Sequence, residues 1–177
     1  MISVNGSGST AAGSTLQPMQ SKFPPFHIVL VEPEIPPNTG NIARLCGAMG
    51  TVLHLVGKLG FSIDDKHLKR AGLDYWDAVD VRQWSDLEEL QRAFPDGRFW
   101  YTSKKANKTH VQADFQPGDF LVFGKETLGL SEELLQRNAE RSIRIPIHST
   151  VVRSLNLSTA AGIVLYEAFR QTGQLEE

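Results

Sequence analysis

The chain has 177 residues, of which 41% are apolar and 21% are charged, and its formal net charge is −2. This composition is that of an ordinary globular protein, and the length suits one domain with a sizeable core. The single cysteine, Cys46, excludes an internal disulfide and is typical of a reducing compartment, so we expect a cytoplasmic protein. No apolar run approaches the roughly 20 residues that a membrane-spanning helix needs.

The first 25 residues differ from the rest of the chain in composition. They are mostly small and polar, and they show neither helical nor strand periodicity. Such a segment buries too little apolar surface to become ordered. The sequence therefore predicts a disordered tail at 1–25 and a single folded domain at 26–177.

Short apolar runs alternate with amphipathic stretches from residue 27 onwards. This alternation predicts an α/β fold with a mostly parallel sheet flanked by helices. Gly50 and Ser131 are predicted helix caps, and Ser85 with Glu88 is a predicted capping box. Strands are predicted at 27–33, 51–57, 79–84, 98–103, 119–124 and 144–147, and helices within 37–50, 64–76, 86–94, 131–140 and from 157 onwards.

Three of the predicted strands are followed by residues that suit a binding site. Asn38 to Asn41 and then Arg44 follow the first strand, a glycine-containing loop at 124–130 follows the fifth, and 153–156 follows the sixth. In an open parallel sheet, ligands bind beyond the carboxyl ends of the strands. Each loop alone is better explained as a turn or a capped helix, but the three together at one edge favour a site.

Several common motifs are missing. The chain has no G-x-G-x-x-G after a strand, no G-x-x-x-x-G-K-[ST] and no G-x-S-x-G. Dinucleotide-binding, P-loop and hydrolase-elbow sites are therefore not indicated. The five histidines and Cys46 also lack the spacing of metal ligands, so we expect no metal.

Three longer segments together carry a family resemblance. They are EPEIPPNTGNIARLC at 32–46, FGKETLGL at 123–130 and IPIHSTVVRSLNLSTAAGIVLYE at 145–167, and KRAGLDYW at 69–76 adds to them. With these motifs in this order, the chain from His27 to Gln171 resembles the SPOUT class of RNA methyltransferases. Within that class it is most similar to the TrmL type, which methylates the wobble ribose of transfer RNA. Lys125 stands where relatives of this type often carry proline.

The resemblance implies a SPOUT fold with a C-terminal trefoil knot around S-adenosylmethionine. It also implies a homodimer, which we expect to bury the first and last helices across a two-fold axis. The implied cofactor contacts, largely through backbone groups, are Tyr101, Gly124, Glu126, Ile145 and Ser154.

The activity that the resemblance implies is 2′-O-methylation of nucleotide 34 of tRNA, a cytidine or modified uridine, with leucine tRNA as the expected substrate. Two alternatives remain open: methylation of another tRNA or rRNA site, and a non-catalytic RNA-binding protein with the same fold. The net charge is slightly acidic for an RNA-binding protein, although basic residues cluster at 66–70 and 104–110.

The resemblance gives the catalytic role to Arg44. Arginine is a poor base, because its guanidinium holds its proton very strongly, so we expect it to clamp a substrate phosphate and to orient the 2′-hydroxyl. Tyr166 would position the nucleotide or this arginine. The expected substrate-binding residues are Asn38, Asn41, Lys104, Arg153 and Asn156.

Overall fold

The computed structural model describes residues 25–62 and 79–175. Most of the predicted tail, the predicted helix at 64–76 and the basic cluster at 66–70 lie outside these ranges. The described residues form one seven-stranded sheet in the order β3-β2-β1-β6-β4-β7-β5, and every neighbouring pair is parallel. The predicted α/β class with a mostly parallel sheet is confirmed.

The strands follow the predicted apolar runs closely, with two differences. The sixth strand runs from Ser142 to Arg144 and shares only Arg144 with the predicted 144–147, because Pro146 lacks the N–H that a ladder needs. A two-residue strand at Lys108–Thr109 has no counterpart in the prediction. The strands are β1 His27–Val31, β2 Val52–Val56, β3 Val81–Trp84, β4 Phe99–Thr102, β5 Lys108–Thr109, β6 Phe120–Phe123 and β7 Ser142–Arg144.

The helices are α1 Pro36–Met49, α2 Leu87–Ala93, α3 Glu132–Arg137 and α4 Leu157–Gln171. Gly50 ends α1 with φ 60°, and the Ser131 side chain caps α3 by accepting from the N–H of Leu134, as predicted.

The capping box predicted at Ser85 and Glu88 is wrong by one residue. Asp86 caps α2 by accepting from the N–H of Glu89, and the Glu89 carboxylate accepts from the N–H of Ser85 at 2.7 Å. Both Ser85 and Asp86 are good caps, and each has a glutamate three residues later, so the sequence pattern alone does not choose between them.

Among the described helices, one pair lies on each face of the sheet. On one face, α1 and α4 pack against each other and against the strands, with Ile28, Leu30, Leu121, Val164 and Leu165 fully buried. On the other face, Leu90 of α2 and Leu134 and Leu135 of α3 belong to a second apolar cluster. The strand residues of this cluster alternate along β1 and β6 with those that face α1 and α4. The period of two along each strand therefore divides the core into two layers.

A hydrogen-bonded network of aromatic side chains is buried near the start of β1 and β2. The indole N–H of Trp84 donates to His54 Nδ1 at 2.9 Å, so the proton of a neutral His54 lies on Nε2 and is donated to His27 Nδ1, also at 2.9 Å. The His27 ring stacks on Phe120 with 4.1 Å between centroids. Burial lowers the pKa of His27 to about 4 and that of His54 to about 3, so both rings are neutral at pH 7.

The sheet order brings the candidate site together. Strands β1, β6, β4 and β7 are consecutive neighbours and run in the same direction, so the loops after them meet at one edge. This confirms the expectation that the loops after the first, fifth and sixth predicted strands lie close together. It also adds the loop after β4.

Candidate cofactor and substrate site

A cavity of about 630 Å³ lies at this edge of the sheet. Its walls come from residues 102–105 at the end of β4 and beyond, from 123–130 at the end of β6 and beyond, and from part of the segment between β7 and α4. The lining residues of that segment are Ile145, Ile147 and 154–157, and Ile35, Asn38, Glu132, Leu135 and Ala160 complete the wall. Its volume falls within the roughly 300–1,000 Å³ of small-molecule sites.

The cavity walls combine apolar side chains with a few polar groups. Leu130 is buried, whereas Leu128 lines the cavity and is 80% exposed. Thr102 also lines the cavity, and its buried hydroxyl has no hydrogen-bond partner among the described residues. A buried polar atom without a partner normally finds one in a ligand or water, so this wall suits a ligand with both apolar and hydrogen-bonding parts. The further apolar residues of the wall are Ile35, Phe123, Ile145, Ile147, Leu155, Leu157 and Ala160.

The structure places four of the five predicted cofactor residues in the cavity wall: Gly124, Glu126, Ile145 and Ser154. Tyr101 does not line the cavity. Its side chain is 2% exposed, and its hydroxyl accepts a hydrogen bond from Gln91 Nε2 at 2.9 Å. Burial raises the pKa of this phenol. Alternation along β4 turns Tyr101 into the core and leaves the next residue, Thr102, at the cavity.

Gly124 is needed for the shape of its own loop. A Cβ at this position would lie 2.1 Å from the carbonyl carbon of Gly129 and 2.3 Å from the nitrogen of Leu130. The chain returns on itself here, because Lys125 and Gly129 form an antiparallel bridge and Gly129 has φ 71°. A side chain at Gly124 would therefore displace loop backbone before it met any ligand.

Glu126 fastens this loop to the segment before α1. Its carboxylate accepts hydrogen bonds from the N–H of Glu34 at 2.8 Å, the N–H of Ile35 at 3.1 Å and Nδ2 of Asn38 at 3.0 Å. Helix α1 has no side-chain cap of its own and has prolines at its first two positions, so a carboxylate from another loop serves its start. We assign Glu126 chiefly to joining the two loops, and its predicted cofactor contact stays a prediction.

The residues on either side of Glu126 strengthen the same connection. Thr127 donates to the Glu34 carboxylate from its N–H at 3.1 Å and from its hydroxyl at 2.8 Å. Lys125 Nζ lies 2.8 Å from Glu32 Oε2. Three successive residues of the second motif are therefore bonded to the first motif, and we call this set of contacts the loop clamp.

Asn38 and Asn156 connect the clamp to the third motif. Asn156 Nδ2 donates to Asn38 Oδ1 at 2.9 Å, while Asn156 Oδ1 caps α4 by accepting from the N–H groups of Ser158 and Thr159. The Asn38 amide thus uses its nitrogen toward Glu126 and its oxygen toward Asn156. Both asparagines line the cavity, but these bonds occupy them in holding the three motif loops together. Substrate contacts by either residue stay a prediction.

The remaining predicted residues are divided between the cavity and the outer surface. Lys104 lines the cavity, whereas Asn41, Arg44 and Arg153 are exposed and do not. Tyr166 on α4 is 47% exposed and also lies outside the cavity wall. The structure of one chain therefore does not bring the two predicted catalytic residues to the predicted cofactor residues.

Of the wall formed after β4, sequence reasoning predicted only Lys104. Thr102, Ser103 and Lys105 line the cavity beside Lys104. Their position at the end of a predicted strand and directly after it is the feature of the sequence that could have identified them as candidates for the site.

Other kinds of site find no support in the part of the chain that the structure describes. Within residues 25–62 and 79–175 no group of three or more His, Cys, Asp or Glu side chains is arranged to hold a metal ion. Among the described helices, none has the length and apolarity to cross a membrane. Cys46 is buried in α1, and its burial raises the pKa of the thiol.

Comparison with known proteins identifies relatives over nearly the whole described region. A tRNA (cytidine(34)-2′-O)-methyltransferase of Methylovorus glucosotrophus (strain SIP3-4) is 49% identical over 147 residues, which are 82% of this chain and 95% of the relative. A solved structure described as giving insight into 2-OH methylation of C/U34 on tRNA is 44% identical, with a TM-score of 0.78. The match covers 82% of this chain and 95% of that one.

A more distant solved structure contains a bound ligand. It is an AdoMet-bound rRNA methyltransferase from Sinorhizobium meliloti, 27% identical with a TM-score of 0.74, and the match covers 84% of this chain and 58% of that one. The model of the SpoU rRNA Methylase family matches residues 25–166, which include all three motif loops. Because this family model covers most of the chain, including the three motif loops at the cavity, the chain belongs to the SpoU methylase family.

Proposed function

We propose that this protein transfers a methyl group from S-adenosylmethionine to the ribose 2′-oxygen of nucleotide 34 in tRNA. The nucleotide is a cytidine or a modified uridine, and leucine tRNA is the expected substrate. The names of the relatives described above support position 34, and the AdoMet-bound neighbour supports the cofactor.

The observation that carries the proposal is a cavity at which the three motif loops are tied to one another by side-chain contacts. The loop clamp joins 32–38 to 125–127, and the Asn38–Asn156 bond adds the third motif. Because all of these contacts are formed within the protein, they hold the loops that line the cavity in fixed positions relative to one another.

The residues present suit S-adenosylmethionine. The apolar wall suits an adenine ring, and the hydroxyl of Thr102 and backbone groups near Gly124, Ile145 and Ser154 suit its polar edges. When bound, S-adenosylmethionine supplies the electrophilic methyl carbon. Everything else in the reaction, including orientation and proton removal, falls to the protein and the RNA.

The ribose hydroxyl is a very weak acid, so its proton must leave as the oxygen attacks. Arg44 clamps a phosphate of the substrate with two parallel hydrogen bonds and thereby orients the 2′-hydroxyl. The proton passes to that phosphate or to a transiently neutral Arg44 guanidine. Tyr166 and Asn41 position the nucleotide, and Arg153 binds a second phosphate.

This chemistry requires a homodimer. Arg44 on α1 and Tyr166 on α4 lie outside the cavity of their own chain, and α1 and α4 pack side by side on one face of the sheet. A two-fold interface through these helices would present both residues of one protomer to the cavity of its partner. The C-terminal trefoil knot belongs to the same proposal, supported by the position of 145–157 beside the loops that follow β4 and β6. A tRNA substrate also supports a cytoplasmic protein.

The proposal is tested with purified protein, S-adenosylmethionine and leucine tRNA transcripts. A transcript with 2′-deoxyribose at position 34 is the matched control, because it lacks only the accepting oxygen. Methylation of the first transcript and none of the second is expected. Equal methylation of both would move the site elsewhere in the RNA, and methylation of neither would favour another RNA substrate or a non-catalytic RNA-binding role.

A further inference from the structure

Most of the charged side chains around the cavity already have a partner. Lys105 Nζ forms an ion pair with Glu132, and Lys125 Nζ forms one with Glu32, so neither lysine presents a free positive charge to a ligand. The Glu126 carboxylate has no cationic partner among the described residues, but its oxygens accept three hydrogen bonds from the segment at 34–38.

Lys104 is the exception among the cationic side chains of the cavity wall. It is exposed, it lies two residues beyond the end of β4, and it forms no hydrogen bond or ion pair with any described residue. Its neighbour Lys105 has the same residue type and also lines the cavity, but Glu132 holds its ammonium group. Lys104 and Lys105 are therefore adjacent lysines of the same wall that differ in one respect: Lys105 has an ion-pair partner and Lys104 has none among the described residues.

We infer that Lys104 is the anion-recognising residue of this cavity. Resting on the proposed function, this inference names the group that Lys104 meets: a carboxylate or phosphate oxygen of a bound ligand. Two sources offer this chemistry, the amino-acid carboxylate of the cofactor and a phosphate of the RNA beside it. A lysine is suited to either, because its ammonium group is a compact charge with three rotatable donors on a flexible stem.

The size of the effect follows from the exposure of the residue. An ion pair at a partly solvated cavity rim stabilises a complex by about 0.5–1.4 kcal/mol, which is a change in Kd of about 2- to 10-fold. The charge is also screened by salt over about 10 Å at 0.1 M ionic strength, so the effect shrinks as salt is added.

The test compares Lys104→Met with Lys105→Met, since methionine keeps an unbranched stem and removes the charge. Calorimetry measures the Kd of S-adenosylhomocysteine and of 5′-methylthioadenosine, which lacks the amino-acid portion, and a filter assay measures the Kd of tRNA at several salt concentrations. Lys104→Arg, which restores the charge, should recover whichever affinity Lys104→Met loses.

Each outcome decides the inference. If Lys104→Met weakens S-adenosylhomocysteine alone, the anion is the cofactor carboxylate. If it weakens tRNA alone and lowers the salt slope by about 1, the anion is a phosphate. If Lys104→Met and Lys105→Met behave alike toward all three ligands, the inference is overturned while the proposed function stands. If the wild-type protein binds neither nucleoside, the proposed function and this inference fall together.

Discussion

Replacing Glu126 by glutamine tests the loop clamp directly. Glutamine keeps the shape of the side chain but has one acceptor oxygen, so at least one of the three donors from Glu34, Ile35 and Asn38 loses its partner. The remaining bonds also lose the strength that the negative charge gave them. Hydrogen bonds to charged groups contribute about 1.5–3 kcal/mol each, and partial exposure reduces this, so we expect a loss of about 1–2 kcal/mol in the free energy of unfolding.

Urea denaturation followed by circular dichroism measures this loss. Glu133→Gln on α3 is the control, because its carboxylate forms only an exposed ion pair with Arg137 and should change stability by less than about 0.5 kcal/mol. A Glu126→Gln protein as stable as this control would refute the clamp. Normal stability together with a large loss of S-adenosylhomocysteine affinity would instead assign Glu126 to the cofactor.

Three further predictions concern other parts of the molecule. Because burial lowers the pKa values of His27 and His54 below the unfolded value of 6.5, their contribution to stability is complete above pH 6.5 and is lost as the pH falls toward 4. The unfolding free energy should drop by about 1.4 kcal/mol per pH unit for each ring, and a constant urea midpoint between pH 7 and 5 would contradict this. Gly124→Ala should lower the free energy of unfolding by about 1–3 kcal/mol, because the added Cβ meets the backbone of Gly129. An unchanged thermal unfolding temperature would show that the loop adapts to the added atom. Arg44→Lys should reduce turnover on tRNA by at least about 10-fold at unchanged S-adenosylhomocysteine affinity, because lysine loses the planar fork, and near-normal turnover would mean that a point charge suffices.

Much of the fold could be predicted from local patterns. The strands and helices in the described residues follow apolar runs and periodic stretches. Helix ends such as those at Gly50 and Ser131 could be predicted from the single residue at the cap. The order of the strands in the sheet could not be predicted from local sequence patterns, because it depends on packing between segments far apart in the chain. Strand β5, only two residues long, is too short to leave a pattern of its own.

The candidate site could be predicted in part, for a related reason. Glycines and polar residues after strands marked three of the four loops, whereas in the loop after β4 only Lys104 was predicted and its neighbours Thr102, Ser103 and Lys105 were not. Tyr101 was expected to contact the cofactor largely through backbone groups; alternation along β4 directs its side chain into the core, and its cofactor contact stays a prediction. The roles of Glu126 and Asn38 emerge only when the first and second motifs are seen in contact.

The central claim is methylation of nucleotide 34, and its most direct test is mass mapping of tRNA and rRNA from a strain that lacks this protein. The account predicts that leucine tRNA loses the 2′-O-methyl group at position 34 and nothing else changes. The group should return when the wild-type protein is supplied and stay absent with Arg44→Ala. An unchanged position 34, or a methyl group missing from rRNA instead, would contradict the account.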